Sequence, residues 1–130
     1  MTADILTPGH IKAIETLRND DFVVVGLLTD HALHGYKKAV MPFKDRKYIM
    51  EVVAEGIGNV IVVPQDTRDP THNLKFYNCT AMASGDGWDE GELNAFKKTG
   101  VKKIDLKLKG EKTKRFSSSS VKERIWRQKP

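Results

Sequence analysis

Two uninterrupted apolar runs, residues 22–28 (FVVVGLL) and 60–63 (VIVV), constrain the fold of this chain more than any other feature. A half-buried strand alternates apolar and polar residues. A continuous run is what a strand covered on both faces shows. Each run follows a helical pattern. Ile11, Ile14 and Leu17 share one face of a helix that ends near Asn19. Ile49, Val52 and Val53 lie on the inner face of a helix over 44–55, which Gly56 and Gly58 stop. Pro64 closes the second run. Residues 29–40 read as a polar loop, 73–77 as a short helix and 80–84 as a strand. Residues 89–98 are helical, with Gly100 just past the end, and 104–108 alternate apolar and lysine like an edge strand. Ser120 with Glu123 makes a capping box for a last helix to about Gln128. Helix and strand in alternation give an α/β fold, a doubly wound parallel sheet. We expect one domain over 1–130, with ligands beyond the carboxyl ends of the strands.

Composition narrows the function classes. At 39% hydrophobic and 30% charged the chain reads as globular, and no apolar run approaches the ~20 residues of a membrane span. The N-terminus, with Asp4 and no basic start, does not read as a secretory signal. The single cysteine, Cys79, excludes an internal disulfide and paired-cysteine metal sites, so a cytoplasmic location is expected. The net charge of +5 is uneven: residues 97–130 hold 13 Lys/Arg against 3 Asp/Glu. A basic tail of this kind suits a polyanionic partner, or a solvated edge strand. Few aromatics interleave with the lysines, which argues against a nucleic-acid stacking platform. His31, His34 and His72 lack metal-ligand spacing and read as loop residues, with His34 a candidate contact to a second substrate.

Four segments carry candidate chemistry. Thr7-Pro8-Gly9-His10 runs into the first helix. The N–H groups of a helix start suit a phosphate, and a histidine there can donate to a phosphoryl oxygen as its charge grows. Tyr36-Lys37-Lys38 and Asp45-Arg46 could meet phosphates from the other side, or could be ordinary surface charge. In Gly85-Asp86-Gly87-Trp88 the aspartate can accept from a base or sugar, and the tryptophan supplies an aromatic wall. The bland alternative is a turn with a tryptophan anchoring the next helix. Ser117-Ser118-Ser119, ahead of the capped helix, offer a second anion site.

Asp4-x-x-Thr7-x-Gly9-His10 resembles the signature of the HxGH-superfamily nucleotidylyltransferases, which implies a Rossmann-like sheet of the nucleotidylyltransferase type. The resemblance covers nearly the whole chain. Residues 24–30, 36–38 and 62–67 look most like the cytidylyltransferases that act on phosphonates, the 2-aminoethylphosphonate enzymes among them. What this implies is transfer of CMP from CTP to a small phosphonate or phosphate, releasing pyrophosphate, with Mg2+ on the triphosphate. His10, Thr7, Lys37 and Arg46 would be catalytic, with Lys38 a fallback for Lys37. Gly9, Asp86, Trp88, Arg115, Ser117, Ser118 and Ser119 would bind nucleotide, with Lys112 and Lys114 alternatives to Arg115. No metal ligands from the protein are expected, and the expected assembly is a homodimer. An adenylyltransferase of the phosphopantetheine type, or a catalytically impaired nucleotide-binding relative, is the alternative.

One departure has structural weight. The resemblance implies a buried central strand just before the aspartate, whereas only Met1-Thr2-Ala3 precede Asp4. The first central strand is therefore expected to be missing or truncated, a truncated start being the preferred reading. Its neighbours would then expose unpaired backbone groups.

Overall fold

The computed structural model describes residues 1–3, 6, 8–19, 22–84 and 87–106. Along the chain run α1 (Pro8–Arg18), β1 (Val23–Leu28), α2 (Asp30–Leu33), α3 (Phe43–Ile57), β2 (Val60–Gln65), α4 (Thr71–Phe76), β3 (Ala81–Ser84), α5 (Glu90–Thr99) and β4 (Lys102–Asp105). The expected helix over 120–128, and residues 107–108 of the expected edge strand, lie outside the described residues. Among those described, no helix is long and apolar enough to cross a membrane.

The alternation of helix and strand produces parallel pairing, as expected. β1 pairs with β2, from Val23 opposite Val60 to Leu28 opposite Gln65. β3 pairs with β4, from Ala81 opposite Lys102 to Ser84 opposite Asp105. Among the described residues these form two separate two-stranded sheets, and β1 does not pair with β3. A Rossmann-like sheet is present, but it is split at its centre.

The helices follow their local chemistry. Asp89 and Glu92 form a reciprocal capping box at the start of α5, and Gly100 closes it in the left-handed region at φ 67°. Residues 29–40 are not all loop. Thr29 accepts from the Ala32 amide and starts the single turn of α2. α3 starts at Phe43 behind Pro42, which has no side chain to cap it. Asp30 supplies the cap from a distance: both its carboxylate oxygens accept from the Phe43 amide at 3.1 Å.

The core lies on one face of β1. Val23, Val25 and Leu27 point to α1 and α3, where they meet Ala3, Ile14 and Met50. Period-two geometry sends Val24 and Gly26 to the opposite face, where they are only half-buried. In β2 only Val63 is buried, so that run is less covered than its composition predicts. The reason is position: β2 is an edge strand. Pro64 sits within it rather than after it, and the alternation of hydrogen bonds turns its nitrogen away from β1, where no donor is needed.

Candidate functional site

A cleft of about 1220 Å³ opens between the two small sheets. Its walls include Val24 and Gly26 of β1 on one side and Ala81 to Ser84 of β3 on the other. Gly9, His10, Tyr36, Lys37, Arg68 and Trp88 also line it. All but Gly9 and His10 follow strands, as ligand-binding residues of open α/β sheets do.

The chain start is built into this cleft. The Met1 ammonium donates to the Gly26 carbonyl at 2.7 Å, and the Leu28 amide donates to the Met1 carbonyl at 2.9 Å. That is the rung pattern of a parallel pair between Met1 and Leu27. Burial lowers the Met1 ammonium from 8.0 to about 6, a shift that nearby Lys37 increases and Glu92 opposes. The carbonyl of Thr2 is then gripped from the other side, at 2.9 Å, by Arg46.

Arg46 is not where a phosphate ligand would be. It is fully buried. Nε donates to Met41 O at 3.0 Å, Nη1 to Thr2 O and Leu28 O at 2.9 and 2.8 Å, and Nη2 to Asp30 at 2.8 Å. Its place one turn into α3 points it back at the loop that starts the helix. Three carbonyls and the Asp30 carboxylate satisfy the guanidinium there, which is what lets so polar a group sit in a core. Its role is positional: it ties the end of β1, the loop before α3 and the chain start together.

Lys37 is exposed at the cleft, and its Nζ lies 5.3 Å from the ring centroid of Tyr36. The Arg68 guanidinium stacks on that same ring at 3.7 Å. Arg68 is not among the residues that the sequence pattern marks, although it directly follows Gln65-Asp66-Thr67. A cation three residues beyond a strand end is the signal that could have found it. Gly26 permits a further contact, because a Cβ there would run into the Gln65 side chain. Asn73 supports that corner by donating to Pro64 O at 3.1 Å.

Trp88 lines the cleft and also anchors local structure. Its indole N–H donates to Asp105 at 2.7 Å, and its ring meets Phe96 edge-on at 4.8 Å. Lys103 lies over both rings, at 5.3 and 5.1 Å. Nearby, burial raises the Glu92 carboxyl above its usual range, opposed by the Asp89 backbone amide that donates to it.

Gly9 and His10 fall in the first turn of α1, three residues earlier than the apolar spacing alone places the helix start. The cleft therefore brings Gly9, His10, Lys37 and Trp88 together and leaves Arg46 in the core. Thr7, Asp86, Lys112, Lys114, Arg115, Ser117, Ser118 and Ser119 lie outside the described residues.

The sequence pattern of the cytidylyltransferase-like family matches residues 2–124. The chain belongs to this family. It is a nucleotidyltransferase by that membership, and the parallel strands around the cleft are the family's Rossmann-like sheet in split form. The chain is also 37% identical over 67 residues to the bifunctional protein HldE of Bradyrhizobium diazoefficiens. That match covers 49% of this chain and 14% of the relative's length.

Proposed function

We propose that this cytidylyltransferase-like chain transfers CMP from CTP to a small organic phosphonate or phosphate, releasing pyrophosphate. The observation that carries the reading is the first turn of α1. It presents Gly9 and His10 to a cleft that Lys37 and Trp88 also line. The acceptor's phosphoryl oxygen attacks the α-phosphorus and the pyrophosphate oxygen leaves, with no covalent enzyme intermediate. His10 donates to the α-phosphoryl oxygen as negative charge builds, and Lys37 offsets the charge of the two anionic reactants. Trp88 walls the nucleotide, and its hydrogen bond to Asp105 sets the angle of that wall. Thr7, Asp86, Arg115 and the three serines belong to the same proposal through the family resemblance.

Magnesium fits this reading as part of the nucleotide. Among the described residues no group of three or more His, Cys, Asp or Glu could hold a metal. The acids lining the cleft, Asp89 and Glu92, are committed to the α5 cap. The triphosphate's own oxygens would hold the ion, which supplies charge neutralisation for the leaving pyrophosphate.

The split between β1 and β3 favours a second reading, a relative that binds nucleotide without turnover. Pyrophosphate assays with each nucleoside triphosphate and a panel of phosphonate and phosphate acceptors test the first reading. Calorimetry with the same nucleotides tests the second. Binding without pyrophosphate release decides for the impaired relative.

A further inference from the structure

Tyr36 holds two cations on one ring, Arg68 at 3.7 Å and Lys37 at 5.3 Å. Among the described residues neither has a carboxylate partner. The ion pairs there are Arg46–Asp30, Lys47–Glu51 and Lys98–Asp69. Two positive charges against one ring with no carboxylate partner among the described residues repel each other, and an anion placed between them removes that cost. The Arg68 guanidinium carbon lies 3.7 Å from the ring centroid, and a guanidinium held by its face keeps its N–H edge for a ligand.

The backbone of Arg68 packs against α5. It passes so close to α5 that a Cβ on Gly91 would lie 2.8 Å from the Arg68 carbonyl oxygen. The next residue, Asp69, accepts from Lys98 and from the Thr71 amide, each at 2.9 Å. Burial alone would raise the Asp69 carboxyl, but the Thr71 and Lys98 hydrogen bonds outweigh it and hold the group below its usual range. It therefore stays ionised and paired. A guanidinium resting on a ring, on a backbone packed against a helix, loses less freedom on binding than a free one. Its fork matches two oxygens of a tetrahedral anion, which a lysine cannot do.

We propose that Arg68, oriented by Tyr36 and acting with Lys37, binds the phosphoryl or phosphonyl group of the acceptor. This rests on the reading that the chain joins a nucleotide to an anionic acceptor. That reading assigns the triphosphate to the first turn of α1. The clamp on the loops after β1 and β2 then serves the second reactant. Two anions must be brought together there, and cations beside the second offset their repulsion. Arg68 is thereby a specificity-determining residue, favouring a doubly charged acceptor over a neutral one.

The test is calorimetry on the full 130-residue chain with methylphosphonate, inorganic phosphate and CTP, comparing Arg68→Ala, Arg68→Lys, Tyr36→Ala and Tyr36→Phe. Tyr36 and Arg68 are exposed, so unchanged thermal melts are expected and are recorded for each variant. Methylphosphonate and phosphate should bind about tenfold more weakly to Arg68→Ala, with partial recovery in Arg68→Lys. Tyr36→Ala should weaken them and Tyr36→Phe should not, because the ring and not the hydroxyl orients the cation. CTP affinity should change less than methylphosphonate affinity in every variant. Equal methylphosphonate binding by wild type and Arg68→Ala overturns the proposal. So does a CTP loss as large as the methylphosphonate loss, or no binding of either small anion by wild type. Arg68-dependent methylphosphonate binding with no CTP binding supports the clamp and contradicts the reading of nucleotidyl transfer.

Discussion

Arg46 and Thr2 are joined by a buried hydrogen bond of 2.9 Å that spans 44 positions of sequence. Through it a side chain of α3 holds Thr2, which itself lines the cleft. The geometry of the candidate site thus depends on a residue that does not face it.

Replacing Arg46 with methionine tests that dependence. The carbonyls of Thr2, Leu28 and Met41 would lose their donor, each at a cost of ~1–3 kcal/mol where buried. Urea denaturation should show a loss of about 3 kcal/mol or more. Arg46→Lys should recover little, since one ammonium cannot reproduce the fork. A loss below about 1 kcal/mol would contradict the positional role.

The Met1 amine makes stability depend on pH. Its folded value of about 6 lies below the ordinary 8.0, because burial disfavours the charged form. Below pH 6 both states carry the proton and the folded state bears the full penalty. Between pH 6 and 8 the unfolded chain binds more protons, so stability rises with pH, by up to about 2–3 kcal/mol. Acetylating the amine should abolish the slope. A flat profile across that window in the unmodified chain would refute the assignment.

The split sheet predicts an alternating exchange pattern. Val25 and Leu27 amides point to β2, while Val24 and Gly26 amides point into the cleft. Hydrogen exchange should be slow at the first pair and fast at the second. Joining a short β-branched segment ahead of Met1 should slow Val24 and Gly26 and raise the melting temperature. Uniform protection along β1 in the 130-residue chain would show that the edge is already paired.

His10→Ala should leave the melting temperature close to that of the wild type, since the residue is only half-buried. It should cut pyrophosphate release about 10²–10³-fold, the scale expected for one donor at a developing oxyanion. Release unchanged by the substitution would remove His10 from the catalytic role.

Much of the fold was legible because backbone pattern carries it. The apolar runs at 22–28 and 60–63 give β1 and β2, and Asp89 with Gly100 bounds α5. Among the described residues β1 and β3 do not pair. The site was legible only in part. Lys37 and Trp88 follow strands at the cleft, where topology places ligands. A charged residue in a first helical turn is usually exposed, whereas three of the four hydrogen bonds of Arg46 go to groups distant in sequence, Thr2, Leu28 and Asp30. Arg68 stands just beyond a strand end, a visible position, but its partner, Tyr36, is 32 positions away and no local pattern joins them. Long-range pairing, not composition, decides both.

The most direct measurement is pyrophosphate release from CTP with a panel of phosphonates and phosphates, made on the 130-residue chain and on one lengthened ahead of Met1. The account predicts acceptor-dependent release that favours CTP over other nucleoside triphosphates, and is greater where the cleft beside β1 is filled. Absence of release from both chains, with every nucleotide and acceptor, would contradict it.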